Sequence, residues 1–143
     1  MTYDPENNFH EREAQHKAQL VSLISGGLKM AILDSHGASK KAGWYTDRHT
    51  GKPLERNLGE MIALMHSELS EMLEGVRKGK PDEHLPHRSS EEVEAADLLI
   101  RLFDYAGYRG LDIAGAYLEK RAYNDTRLDH KLENRRKEGG KAF

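Results

Sequence analysis

Residues 54–78 read LERNLGEMIALMHSELSEMLEGVRK, and within them Leu58, Ile62, Met65, Leu69, Met72 and Val76 recur at spacings of four and three. That period keeps all of them on one stripe of an α-helix, whereas a strand would need alternation by two. The stripe is expected to face the core. Lys78-Gly79-Lys80-Pro81 then ends the helix, a basic last turn followed by Gly and Pro.

Toward the C-terminus, GKPDEHLPHR reads as a loop, after which Ser89 and Glu92 form a capping box. The box opens a helix to about Ala106 with Val93, Ala96, Leu99, Ile100 and Phe103 as its buried face. Gly107 and Gly110 mark a turn, and Asp112 caps a last helix expected to run to about Arg136. Residues 137–143 read as a flexible tail. Toward the N-terminus, Phe9 to Leu33 is helical and offers Leu20, Val21, Leu23, Ile24, Leu28 and Ile32 for burial. Gly26-Gly27 is expected to kink that helix or divide it. Residues 37–53, GASKKAGWYTDRHTGKP, have no sustained period and form a long loop, with a small hairpin fitting around His49-Thr50-Gly51-Lys52. No strand is needed, so the reading is all-α, one domain over residues 1–143.

Composition limits what such a domain can do. With 32% charged residues and a net charge of −2, the two signs balance, and neither a nucleic-acid nor a membrane footprint is expected. There is no cysteine, which removes disulfides and thiolate chemistry and fits a reducing compartment. The start MTYDPENNFHEREAQHK is polar and acidic, unlike a targeting peptide, and no apolar run approaches the ~20 residues of a membrane span. The expected location is cytoplasmic.

Carboxylates interrupt the core pattern. Met61, Leu64, Glu68, Glu71 and Gly75 form a second stripe about 100° from the first. On the next helix Glu94 and Asp97 repeat the three-residue spacing, and Arg101 and Asp104 continue their face. Antiparallel packing would gather four carboxylates, an arrangement that repulsion and desolvation disfavour unless a cation neutralises it. Oxygen-only ligands suit magnesium, or manganese in its place, and suit zinc and copper poorly. Magnesium held this way keeps positions for substrate phosphates, so phosphoryl transfer or hydrolysis is implied. A solvated acidic helix face would carry the same residue types.

In their contexts, HSELSEMLEG and EEVEAADLLIRLFD, these residues resemble the MazG-like all-α nucleoside triphosphate pyrophosphatases. That family carries Glu-x-x-Glu followed on the next helix by Glu-x-x-Asp, matched by Glu68, Glu71, Glu94 and Asp97. In EKRAYNDTR, Lys120, Asn124 and Arg127 match its Lys-x-x-x-Asn-x-x-Arg pattern, and by spacing they share one helical face. The likeness covers about Gly43 to the C-terminus, including the LPHR loop and ENRRKEGGKAF. It implies a four-helix-bundle-like fold assembled as a homodimer or homotetramer. It also implies magnesium-dependent hydrolysis of a nucleoside triphosphate to monophosphate and pyrophosphate, controlling the nucleotide pool and in some members selective for one substrate such as dGTP. A bacterial cytosol, or that of a phage-infected host, would be the setting. Lys120 and Arg127 would offset phosphate charge, Asn124 would bind sugar or base, and Glu71 is the candidate general base.

Weaker signals surround these. Trp44 and Tyr45 can stack on a base or simply pack, and Lys40, Lys41, Arg48 and Lys52 can attract phosphate or only be solvated. His84 and His87 lack a third nearby ligand for zinc. A di-iron bundle would need Glu-x-x-His on two helices, and only Glu13 and His16 fit. A non-catalytic helical nucleotide-binding or interaction module is the competing class.

Overall fold

A computed structural model describes residues 5–141, with side chains from residue 11 onward. The helices are α1 (Pro5–Lys41), α2 (Leu58–Lys78), α3 (Ser90–Arg109), α4 (Ile113–Thr126) and the short α5 (Leu132–Arg135), with a 3-10 turn at Leu128–His130. Among the described residues there is no strand, only the isolated antiparallel bridges Thr46↔Pro53 and Pro81↔Ser89. The fold class is all-α, as the periodicity implied. The chain forms two compact units, residues 30–111 and residues 1–29 with 112–143.

In the unit of residues 30–111, α2 opens at Asn57, whose side chain accepts the Glu60 N–H at 3.2 Å. It starts later than Leu54 because the preceding backbone is used elsewhere. Leu54 N–H donates to the Tyr45 carbonyl at 2.9 Å, and Arg56 N–H donates to the Tyr108 hydroxyl at 3.1 Å. Ser89 and Glu92 form the expected capping box of α3. Both helices end on a left-handed glycine, Gly79 at φ 59° and Gly110 at φ 64°, a conformation that costs other residues energy.

Helices α2 and α3 pack together. Their antiparallel register follows from Gly75 lying against Ser90-Glu91 while Glu68 meets Arg101. A Cβ on Gly75 would come within 2.9 Å of the Glu91 nitrogen, so only glycine permits this approach. Gly107 does not end α3. It lies inside the helix where a Cβ would meet His36 Cβ at 2.5 Å, which explains its identity by packing rather than by a turn.

The loop is shorter than residues 37–53 suggested, because α1 continues through Gly37 to Lys41. One glycine costs a helix only about 1 kcal/mol relative to alanine. The hairpin forms where expected. Asp47 N–H donates to the Lys52 carbonyl at 2.8 Å, and the Asp47 carboxylate accepts the N–H groups of His49 and Thr50. Gly26-Gly27 likewise leaves α1 unbroken, although the division between units falls just beyond, at Lys29.

In the other unit, Asp112 caps α4 by accepting the Gly115 N–H at 3.0 Å. The helix stops at Thr126 instead of continuing toward Arg136. Arg127 turns to extended backbone, and Lys131 Nζ and Asn134 Nδ2 donate to the carbonyls of Asp125 and Leu128, each at 2.9 Å. These side-chain bonds satisfy carbonyls at the helix end and replace helical continuation. Through Lys141 the tail is hydrogen-bonded, Gly140 N–H to Lys137 and Arg135 Nε to the Lys141 carbonyl; residues 142–143 lie outside the described residues.

The expected core stripes need correction. Ile62, Leu69 and Val76 are 42, 41 and 53% exposed, and on α3 Leu99 and Ile100 are each 48% exposed. On α2 the buried positions are Met61, Glu68 and Gly75, the stripe that carries the acids. Gly75 explains the swap, since α3 can come closest on the face that holds the glycine. On α1, Leu20, Val21 and Leu23 are exposed as well. Among the described residues no helix is long and apolar enough to cross a membrane.

Candidate functional site

The α2–α3 pairing turns a spacing pattern into a cluster. Glu68 from α2 and Glu94 and Asp97 from α3 each place a carboxylate oxygen within 4.8 Å of the others. Glu68 is buried at 4% exposure, while Glu94 and Asp97 are half-buried. Glu71 stands one turn along α2 and is exposed, lining the same groove without joining the triad.

Burial pushes the Glu94 carboxyl above its ordinary range, and the negative charges of Glu71, Glu68 and Asp97 push it the same way. The arrangement is under-neutralised. Its one close cation among the described residues is Arg101, whose Nε donates to Glu68 Oε1 at 2.5 Å. Three carboxylate oxygens gathered this closely would suit a hard divalent cation, which takes oxygen ligands. The residues can hold a metal ion.

Next to the acids lies a second charged node. Asp104 Oδ1 accepts the Tyr45 hydroxyl at 2.8 Å and faces His36 Nδ1 at 2.8 Å. Burial and then the Asp104 hydrogen bond push the Tyr45 phenol well above its ordinary pKa. The Tyr45 ring also lies 5.1 Å from those of His36 and Tyr108, with the Arg56 guanidinium 5.9 Å above it. This node holds the loop that carries Trp44. The Trp44 carbonyl accepts Arg56 Nη1 at 3.1 Å, while its side chain stays 63% exposed and lines a cavity bordered by Asp97 and Arg101.

Lys120, Asn124 and Arg127 belong to the other unit. Lys120 Nζ sits 4.7 Å from the centre of the Tyr123 ring. Asn124 Oδ1 is buried without a hydrogen-bond partner among the described residues. Arg127 departs from the shared helical face, since α4 ends before it, and Asp129 holds its guanidinium through two bonds of 3.0 and 2.5 Å. The basic residues Lys40, Lys41, Arg48 and Lys52 are all exposed.

Two features escaped the sequence reading. Arg101 and Asp104 were visible on the Glu94–Asp97 face, but their partners were not, because Glu68, His36 and Tyr45 lie far away in the chain. No protein-family model matches the chain, and neither curated proteins nor solved structures give a match.

Proposed function

We propose that this chain is a magnesium-dependent nucleoside triphosphate pyrophosphohydrolase of the MazG-like kind, with Glu68, Glu71, Glu94 and Asp97 at its centre. The convergence of three oxygen-only ligands from two helices carries the reading. Magnesium, when bound, supplies charge screening for phosphate oxygens and acidifies the attacking water. The chain does the rest. Glu71, exposed beside the triad, is placed to take the proton of that water. The water oxygen bonds to the α phosphorus, the bridge to the β phosphorus breaks, and its electron pair leaves with pyrophosphate. The resemblance assigns Asn124 to sugar or base and Lys120 to phosphate charge, and the unpaired oxygen of Asn124 suits a hydrogen-bond donor. Arg127, given the same role by the resemblance, is held by Asp129 and would have to leave it to meet an anion.

The exposed aliphatic face of α2 supports assembly into a homodimer or homotetramer with a four-helix-bundle-like core. Cytoplasmic nucleotide-pool control, with preference for one triphosphate such as dGTP, completes the proposal. The Arg101–Glu68 ion pair favours one competitor, a non-catalytic helical binding module in which the acid is neutralised without metal. Pyrophosphate release from a panel of triphosphates with magnesium decides between them. Wild type should turn over, and Glu94→Gln and Glu71→Gln should each lose about a hundredfold or more. Turnover that survives both substitutions sinks the catalytic assignment.

A further inference from the structure

Of the three carboxylates that converge, one already has a cation and two do not. Arg101 Nε donates to Glu68 Oε1 at 2.5 Å, and among the described residues no cation pairs with Glu94 or Asp97.

The form of the Arg101 contact bears on how it can behave. A guanidinium offers five N–H donors and frequently grips a carboxylate through two of them. Arg127 holds Asp129 in that way, through Nε and Nη2. Arg101 uses Nε alone, and its Nη nitrogens make no hydrogen bond among the described residues. Access differs between the partners as well. The Glu68 side chain is 5% exposed on the face of α2 that meets α3, whereas that of Arg101 is 41% exposed. Arg101 lines the acid groove and also the cavity beside Trp44, so it has open space to move into on leaving Glu68. The carboxylate is the fixed member of the pair and the guanidinium the exchangeable one.

We propose that Arg101 is a built-in competitor of the divalent ion, the two cations holding Glu68 in alternation. This uses the metal-holding part of the reading above and is independent of the reaction. An ion that bonds Glu68, Glu94 and Asp97 brings two positive charges against one and reaches all three acids, so it displaces the guanidinium. Whichever Glu68 oxygen the ion takes, it arrives close to a positive charge, and like charges at short range repel. The ion pair therefore raises the ion concentration at which the acids load. An arginine that instead oriented Glu68 for the metal would act with the opposite sign, because removing such a support costs about 10–100-fold in metal affinity.

The test compares the full chain with Arg101→Gln, which keeps a hydrogen-bond donor without the charge, and Arg101→Lys, which keeps the charge. Manganese(II) is titrated in place of magnesium, with the free ion read by electron paramagnetic resonance. Thermal melts are run in chelator and in saturating magnesium, and circular dichroism checks that each variant is folded. Neither measurement needs turnover. Arg101→Gln should bind manganese about tenfold more tightly than wild type, while Arg101→Lys stays within about threefold. In chelator Arg101→Gln should melt about 5 °C lower, because buried Glu68 loses its cation, and saturating magnesium should close most of that gap. Manganese affinity that is unchanged or weaker in Arg101→Gln overturns the competition and leaves the metal reading standing. A melting deficit of equal size in chelator and in magnesium does the same. Binding of manganese by neither wild type nor Arg101→Gln removes the metal reading and the competition with it.

Discussion

Two faces of α2 present opposite chemistry to opposite environments. The face toward α3 carries Met61, Glu68 and Gly75 and is buried, while the other carries Ile62, Leu69, Leu73 and Val76, exposed at 42, 41, 60 and 53%. Helices in globular chains usually do the reverse, since burying a carboxylate costs free energy and burying an aliphatic side chain gains it. The inversion makes sense if each face answers a different demand. Glu68 is buried where it meets Glu94 and Asp97, while the aliphatic side chains stay uncovered.

Replacing Ile62 and Leu69 together by Asp is the strongest way to break that contrast. Each buried aliphatic contributes about 1.5–3 kcal/mol, so the double change should weaken self-association by about two to four orders of magnitude. Sedimentation velocity would read this as a shift to monomer. An unchanged sedimentation coefficient would mean that this face is not where copies meet.

Gly75→Val attacks the other face. Its branched side chain would collide with the Glu91 nitrogen and Ser90, costing about 1–3 kcal/mol in urea unfolding. By separating α2 from α3 it should also weaken magnesium binding. Retention of both properties would mean that the close approach at Gly75 does not set the triad.

The smallest effect concerns pH. Because the folded chain raises the Glu94 pKa above the ordinary 4.5, it holds that proton more tightly than the unfolded chain does. In chelator, the Glu94 contribution therefore lowers stability as pH rises from the ordinary glutamate range through the raised value. Glu94→Gln should remove this component, so thermal melts of wild type and variant diverge with rising pH, the variant becoming relatively more stable. Parallel curves would remove Glu94 from the buried cluster.

The same contrast explains what could be read from the sequence. Helix spacing and capping located the end of α2 and the start of α3, because Gly79 and Ser89 act through bonds to near neighbours. The order of the acids was legible for the same reason. Which stripe faced inward was not, since hydrophobicity pointed to Ile62, Leu69 and Val76 while the approach at Gly75 is a property of two helices together. The end of α4 was hidden similarly, decided by Lys131 and Asn134 reaching back to Asp125 and Leu128. Arg127 looked available from spacing alone because Asp129 folds onto it only once the helix has stopped.

The node at Asp104 bears on the thermodynamics of recognition. One carboxylate oxygen gathers the imidazole of His36 from α1 and the phenol of Tyr45 from the loop, so the segment bearing Trp44 is ordered during folding. A guest entering beside Trp44 then meets a wall whose conformational entropy has already been surrendered, and more of its contact energy is left to appear as affinity. Cutting the clasp with Tyr45→Phe would restore that entropy, making association more enthalpic and weaker although no residue lining the cavity is replaced.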